Sequence, residues 1–209
     1  MSEIVIYGDA RSTYVRTARM ACVEKGVGHV VEAVDISSDA YRAHHPFNKM
    51  PAMQHGDLRL YETLAICSYV DGAFDGPALQ PSEPLDRARM MQWISAINAY
   101  LYPTILGGLI FPRLVAPMRG ETPDEAKIAA ALPEIERQIG LVEDALGEHD
   151  WLAADSFSLA DMFLCPIFTY IGVTPEGERL FADRPNIARA GAAINARACA
   201  SETMPPMGG

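Results

Sequence analysis

The chain has 209 residues, 49% of them apolar, so it can bury one large core or two small ones and is not expected to be disordered. Its 17 Lys and Arg residues are outnumbered by 27 Asp and Glu residues, which gives a net charge of −10. This balance argues against a nucleic-acid-binding protein and against attraction to an anionic membrane. Residues 1–80 carry seven basic and ten acidic side chains, against ten and seventeen in residues 81–209, so an anionic ligand is repelled less in the first part.

The first part of the chain alternates short apolar strands with helices. The predicted elements, in chain order, are a strand at 4–7, a helix at 13–25 ended by Gly26, a strand at 29–36, a hairpin of 50–53 with 59–61, and a helix at 63–74. This βαβ then ββα order is that of a thioredoxin-like domain. We therefore predict an α/β domain over residues 1–78.

The second part reads as entirely helical. It follows a linker rich in proline at 76–84, and its predicted helix starts are at Pro84, at Thr122 as an N-cap before Pro123, at a Ser158–Asp161 capping box and after Pro185. We expect the replacement of Asp161 by alanine to cost about 1 kcal/mol through loss of this cap. We therefore predict an all-α domain over residues 84–209.

Residues 90–112 resemble a membrane-spanning helix in length and in lack of charge. They are 23 consecutive uncharged residues, about the length that a bilayer helix needs. Polar side chains, Pro103 and the Gly107-Gly108 pair interrupt this stretch. We interpret it as a helix buried in a soluble bundle, with one face for a second subunit, and we predict no membrane partner.

Cysteine and histidine spacing predicts no metal site. The cysteines form no C-x-x-C pair and lie among apolar neighbours, which favours buried thiols in a reducing cytoplasm; they are Cys22, Cys67, Cys165 and Cys199. The five histidines lack metal-ligand spacing as well.

Four stretches of the chain match one family in order and spacing. They are Tyr7-Gly-Asp-Ala-Arg-Ser12-Thr-Tyr-Val-Arg16, His45-Pro-Phe-Asn-Lys49-Met-Pro51-Ala, Tyr61-Glu62-Thr63, and the pair of Phe157-Ser-Leu-Ala-Asp161 with Arg184-Pro-Asn-Ile-Ala-Arg189. Together they resemble the soluble glutathione transferase superfamily, bacterial in type and closest to its serine-type phi and theta classes. The resemblance covers nearly the whole chain.

The chain departs from the family pattern at several positions. The family segment N-P-F-G-K-V-P-A has glycine where this chain has Asn48 and a β-branched residue where it has Met50. Thr63 stands in place of the usual serine and keeps a hydroxyl. The phi-class histidine expected near residues 36–38 is absent, which weighs against that class, and Ser12 at the active-site position disfavours the cysteine-type classes.

Ser12 is the candidate catalytic residue. A serine at the start of a helix can donate to a thiolate, and the helix N-terminus attracts the same anion, but the residue can equally be a plain N-cap. The resemblance favours catalysis, with Arg11 and Arg16 adding positive charge. Tyr7, Thr13 and Tyr14 remain alternatives; for Tyr7 we favour core packing beneath the loop.

The resemblance also implies the residues that bind glutathione. Glu62 and Thr63 would take the γ-glutamyl end. The backbone of Met50, before a cis Pro51, would meet the cysteinyl amide, and Lys49 would reach the glycyl carboxylate.

The pocket for the second substrate is less determined. The family places it between the active-site loop and the first long helix of the second domain. The candidates for binding a small hydrophobic electrophile are Arg11, Tyr102, Ile105 and Phe111.

The resemblance implies a cytoplasmic, homodimeric enzyme of detoxification. It would use glutathione as co-substrate, without a metal, and add its thiolate to the electrophile. Two alternatives stay open: a protein that binds glutathione or apolar ligands without turnover, and a glutathione-dependent isomerase, dehalogenase or peroxidase of the same fold.

Overall fold

The structure, a computed structural model, describes residues 3–205 and divides the chain into two compact units. Unit 1 consists of Met1–Gln80 with Asn195–Gly209, and unit 2 of Pro81–Ile194. The predicted architecture, a thioredoxin-like α/β domain followed by a helical domain, is confirmed. The prediction gave all of residues 84–209 to the second domain, whereas the segment from Asn195 onward groups with unit 1. Of that segment, residues 206–209 lie outside the described residues.

Four strands and nine helices make up the described part of the chain. The strands are β1 (Ile4–Tyr7), β2 (His29–Glu32), β3 (Ala52–His55) and β4 (Leu58–Tyr61). The helices are α1 (Thr13–Glu24), α2 (Asp39–Arg42), α3 (Thr63–Ala73), α4 (Pro84–Met118), α5 (Glu125–Glu148), α6 (Leu159–Gly172), α7 (Gly177–Phe181), α8 (Pro185–Asn195) and α9 (Ala198–Glu202).

The sheet of unit 1 has the strand order β2-β1-β3-β4. The β1–β2 pair is parallel, and the β1–β3 and β3–β4 pairs are antiparallel. Ile4 and Ile6 of β1 are fully buried, while the intervening Val5 is half-buried, as period-two alternation requires. Helices α1 and α3 pack against each other, and Val15 of α1 and Ile66 of α3 are fully buried.

The region after β2 differs from its prediction. The strand expected over 29–36 ends at Glu32, and the short helix α2, which was not predicted, follows Ser38. The Asp35 carboxylate accepts hydrogen bonds from the backbone N–H and the hydroxyl of Ser37, and the Ser38 hydroxyl donates to the Asp35 carbonyl. These local bonds compete with strand pairing and turn the chain. The hairpin also lies later than predicted, with β3 at Ala52–His55 in place of 50–53.

Helix α4 contains the uncharged stretch. It includes two π-helical segments, Ile97–Leu101 and Leu106–Val115, between α-helical turns. By length and composition alone it could cross a membrane, and 44% of its most apolar stretch is buried within the protein. Ile97 and Leu109 are among its fully buried side chains.

Of the predicted helix starts of unit 2, one cap is wrong and one is confirmed. The cap of α5 is Asp124, whose carboxylate accepts from Lys127 N at 3.0 Å, so the prediction of Thr122 as N-cap is wrong. Asp124 has a non-helical ψ of 86°, so the helix begins only after it. The capping box of α6 is confirmed, with Ser158 as N-cap and Asp161 at the third helical position. The four cysteines are buried as predicted.

Candidate functional site

The candidate site lies at one end of the sheet of unit 1. In the strand register, Tyr7 at the end of β1 faces Ala52 at the start of β3, and Ala52 faces Tyr61 at the end of β4. The loops that leave these three positions carry Ser12, the Met50-Pro51 step and the Glu62-Thr63 step respectively. Because all three loops leave the same sheet end, the sheet brings together the predicted catalytic and glutathione-binding residues.

Gly8 lies where the active-site loop contacts α1 and the Met50 segment. Its φ of 157° and its surroundings both favour glycine: a Cβ there would lie 2.5 Å from Val15 Cγ2 and 3.3 Å from Met50 Cβ. The next backbone N–H, that of Asp9, donates to Met50 Sδ at 3.4 Å. The active-site loop, the first turn of α1 and the Met50 segment are therefore in direct contact.

Ser12 is the N-cap of α1. Its φ and ψ of −69° and 129° are extended, and its Oγ accepts from Val15 N at 3.4 Å. The cap uses an oxygen lone pair, so the hydroxyl hydrogen can point to an external acceptor. The first turn of α1 holds no acidic residue, which leaves the positive end of the helix dipole available to an anion. The N-cap and the catalytic interpretations of Ser12 are therefore compatible.

The arginines near Ser12 contribute less charge than expected. Arg11 Nη2 lies 2.6 Å from Asp9 Oδ2, and this hydrogen bonding holds the pKa of the Asp9 carboxyl below its ordinary value. The charge of Arg11 is thus balanced beside the loop. Arg16 is 1% exposed and donates to Ala200 O at 3.1 Å, so its guanidinium faces the C-terminal residues.

Three residues were alternatives to Ser12. The Tyr7 hydroxyl donates to Gln54 Oε1 at 3.3 Å, and its ring lies 4.2 Å from that of His44, a packed position within the sheet. Thr13 is buried, and Tyr14 is half-buried in the first turn of α1. Ser12 is half-buried and has the extended geometry of an N-cap, so it stays the preferred prediction.

The Lys49–Pro51 segment is shaped by its neighbours. The Met50-Pro51 peptide bond is cis, as the resemblance implied. The Tyr41 hydroxyl donates to Lys49 O at 2.7 Å, which fixes the backbone while the Lys49 side chain stays exposed. Asn48 has a φ of 52°, a left-handed conformation that asparagine tolerates best after glycine, which explains why it can replace the family glycine.

Glu62 precedes α3 in a strained conformation. Its φ is 71° and its ψ 119°, rare values for a residue with a side chain, and such strain is concentrated at functional sites. Its exposed side chain does not cap the helix. Thr63 is buried at the first helical position. The first backbone N–H groups of α3 therefore lack a side-chain cap and suit a carboxylate.

His45 supports this site and was not singled out from the sequence. Its side chain is 1% exposed, its Nδ1 accepts from Phe47 N at 3.3 Å, and its ring lies 5.0 Å from that of Tyr61. Burial lowers its pKa, while the charge of Glu62 acts in the opposite direction and that of Lys49 adds to the effect. The only sequence signal was its place at the head of the family segment.

The candidates for the second substrate lie on both units. Arg11 belongs to unit 1, whereas Tyr102, Ile105 and Phe111 lie on α4 in unit 2. Ile105 is fully buried and so packs in the core, which makes it a poor ligand contact. Phe111 is half exposed and Tyr102 half-buried. Over residues 3–205, no group of three or more His, Cys, Asp and Glu side chains is arranged to hold a metal ion.

Known proteins match both parts of the chain. The family model described as the N-terminal domain of glutathione S-transferase matches residues 6–78, and that described as the C-terminal domain matches residues 103–197. Among curated relatives, glutathione S-transferase F6 of Arabidopsis thaliana is 26% identical, with 98% of this chain and 100% of that protein covered.

Solved structures share the whole fold. Glutathione S-transferase III in its apo form has a TM-score of 0.89 at 27% identity and covers 99% of this chain and 100% of its own. The theta class glutathione S-transferase of the citrus canker pathogen Xanthomonas axonopodis pv. citri, with glutathione bound, has a TM-score of 0.85 at 26% identity and 97% coverage of each chain.

Proposed function

The chain belongs to the soluble glutathione S-transferase superfamily and is a glutathione transferase, and we propose that Ser12 activates the thiol of glutathione. The observation that carries this proposal is the position of Ser12. It caps α1 at the sheet end from which the Met50-Pro51 and Glu62-Thr63 steps also leave. The hydroxyl hydrogen would be donated to the glutathione sulfur.

The energy required is within reach of this arrangement. A free thiol has a pKa of about 8.5, so only a few per cent is thiolate at neutral pH. Lowering the pKa by about two units requires roughly 2.7 kcal/mol. A hydrogen bond to a charged group contributes about 1.5–3 kcal/mol, and a helix N-terminus about 0.3–1 kcal/mol. The Ser12 hydroxyl and the N-terminus of α1 would together supply this amount.

Glutathione would be held along the same sheet end. The exposed Glu62 carboxylate meets the γ-glutamyl ammonium, and the first turn of α3, with Thr63, meets the γ-glutamyl carboxylate. The backbone of Met50 pairs with the cysteinyl amide, as in strand addition. The exposed Lys49 side chain neutralises the glycyl carboxylate. The relative from the citrus canker pathogen, which has glutathione bound, supports this ligand.

The second substrate would be a small hydrophobic electrophile. We assign residues 1–78 to glutathione and residues 84–194 to the electrophile, with Arg11, Tyr102 and Phe111 as the candidate contacts. A serine-type class, phi-like or theta-like, is supported by Ser12 and by the theta class relative.

We also propose that the enzyme is a cytoplasmic homodimer. Large apolar side chains are exposed on both units, among them Phe47 at 69%, Leu85 at 58% and Tyr100 at 65%. A second copy of the chain would cover such side chains. Sedimentation at micromolar concentration should give particles of twice 22.8 kDa. Particles of the single-chain mass alone would overturn the dimer.

The proposed chemistry is tested by a substrate panel beside matched variants. Aryl halides, epoxides, haloacids and peroxides are assayed with and without glutathione, using the wild type, Ser12→Ala and Tyr7→Phe. We expect Ser12→Ala to lower kcat at least about tenfold, which is 1.4 kcal/mol, with little change in the KM for glutathione. Tyr7→Phe should retain turnover because the Tyr7 hydroxyl is directed to Gln54.

Other outcomes have definite meanings. Near-normal turnover of Ser12→Ala with loss in Tyr7→Phe would contradict the serine assignment. Retention on immobilised glutathione without turnover of any substrate would instead indicate a binding protein. Turnover only of haloacids or peroxides would keep the thiolate and change the reaction.

A further inference from the structure

We propose that Arg16 is a positioning residue, which anchors the C-terminal segment (residues 197–203) on α1 and thereby holds Ser12 in its catalytic orientation. The inference rests on the proposed role of Ser12 and extends it to a residue outside the substrate contacts. It concerns unit 1 alone, since both α1 and this segment belong to it.

The Arg16 side chain reaches the C-terminal segment from the first turns of α1. Its backbone N–H donates to Ser12 O at 2.9 Å, the ordinary bond of a helical turn, so the side chain leaves the helix one turn after Ser12. Its buried guanidinium donates from Nη2 to Ala200 O at 3.1 Å and from Nε to Thr203 Oγ1 at 3.4 Å. One residue therefore joins the first turns of the active-site helix to a segment some 185 positions later in the chain.

Further contacts join the segment to the second half of α1. Arg19 donates to Glu202 O at 3.2 Å and to Thr203 O at 3.3 Å. At the other end of the helix, Arg197 makes a two-pronged pair with Glu24, at 2.9 and 2.7 Å. Among these anchors between described residues, that of Arg16 lies nearest to Ser12 in the helix, one turn after it.

The chemistry of the guanidinium makes this anchor directional. A buried guanidinium must donate to several acceptors, and its planar fork fixes the direction of each one. The carbonyl of Ala200 and the hydroxyl of Thr203 supply acceptors at the end of α9, where a positive charge is favourable. Thr203 is itself fully buried and donates to Cys199 O, so the acceptors cannot move freely.

A hydrogen bond from Ser12 to a thiolate weakens steeply as its angle departs from linear. A first turn that can shift against the C-terminal segment would lose this alignment. We therefore expect removal of the Arg16 fork to weaken thiolate stabilisation while the glutathione contacts of Lys49 and Glu62 persist.

The decisive readout is the pKa of the bound thiol. It is followed by the ultraviolet absorbance of the thiolate against pH, at saturating glutathione, in the full-length enzyme. Arg16→Met should raise this pKa by about one unit and lower kcat about tenfold, with the KM for glutathione within about twofold. Arg16→Lys, which keeps the charge and loses the fork, should give an intermediate pKa.

Arg197→Met is the matched control. It releases the same segment at the far end of α1, so it should lower the melting temperature but leave the thiol pKa within about 0.2 units. An unchanged thiol pKa in Arg16→Met, or an equal rise in Arg197→Met, would mean that Arg16 only stabilises the fold, and would overturn the proposal.

The Ser12→Ala background separates the two claims. If Arg16 acts through Ser12, Arg16→Met should add no further rise of the thiol pKa to that of Ser12→Ala. A full additional rise would overturn the positioning role. No rise in Ser12→Ala itself would overturn the proposed function. If Arg16→Met does not fold, Thr203→Val, which removes one acceptor of the guanidinium, replaces it in the test. A rise of the thiol pKa by less than about one unit supports the proposal, and an unchanged thiol pKa overturns it.

Discussion

Ser158 and Ser12 are two of the serines that cap helices in the described part of the chain, and the protein holds them differently. Ser158, before α6, is fully buried; its Oγ accepts from Ala160 N at 3.3 Å and donates to Asp161 Oδ2 at 3.1 Å. Ser12, before α1, is half-buried, and its Oγ accepts from Val15 N at 3.4 Å. The third residue of each helix makes the difference, since it is an aspartate in α6 and a valine in α1.

The comparison separates a structural cap from one that can do chemistry. In α6 the aspartate accepts the serine hydrogen, so both functions of the hydroxyl are used inside the protein. In α1 the first turn offers no acidic acceptor, so the hydrogen of Ser12 remains for a ligand. A serine at a helix start is therefore a catalytic candidate only where no acceptor within the protein takes its hydroxyl hydrogen, as Asp35 O takes that of Ser38.

The largest loss of stability is expected from the replacement of Asp161 by alanine. Its carboxylate accepts from the backbone N–H groups of Leu152 and Ser158, both at 2.9 Å, in a fully buried position. Asp161→Ala leaves both donors buried without that acceptor, so unfolding should require about 3 kcal/mol less, above the about 1 kcal/mol expected from the cap alone. Urea unfolding measures the change. A loss near 1 kcal/mol would show that water replaces the carboxylate, and turnover per folded molecule should not change.

The pH dependence of stability is the next effect. Burial raises the pKa of Asp161 from 3.8 to about 6, against the hydrogen bonds that favour the ionised form. Because the folded pKa is the higher one, the proton-linked stability is fully present below pH 3.8 and is lost as the pH rises through 6. Relative to Asp161→Asn, the unfolding free energy of the wild type should fall by about 2 kcal/mol over this range. If the unfolding free energy of the wild type relative to Asp161→Asn rises with pH instead, the hydrogen bonds from Leu152 N and Ser158 N outweigh the effect of burial.

Local signals in the sequence predicted much of the fold. The strand Ile4–Tyr7, the end of α1 before Gly26 and the capping box of α6 came from apolar runs, glycine and cap residues, which act within a few positions. The end of β2 and the cap of α5 were wrong because a nearby aspartate competed: Asp35 turns the chain, and Asp124 caps in place of Thr122.

The site was predictable through its motif and not through its contacts. The cis bond at Pro51 and the positive φ values of Asn48 and Glu62 fall within the segments that carried the resemblance. No local signal connects Arg16 to Ala200, because that contact joins residues distant in sequence. The sequence analysis therefore expected Arg16 to add positive charge near the thiol, and it could not predict that the guanidinium binds the C-terminal residues instead.

The smallest expected change in stability is that of the two serine-to-alanine variants. Ser158→Ala should lower the unfolding free energy by about 1–2 kcal/mol, because its buried hydroxyl both donates and accepts. Ser12→Ala should lower it by about 0.5 kcal/mol, since one long contact to Val15 N is lost at a half-buried position. Turnover should show the opposite order, because Ser12→Ala should lower it and Ser158→Ala should not. Parallel urea unfolding and glutathione conjugation assays measure both orders. Equal stability losses, or impaired turnover in Ser158→Ala, would remove the distinction between a cap used inside the protein and one available to a ligand.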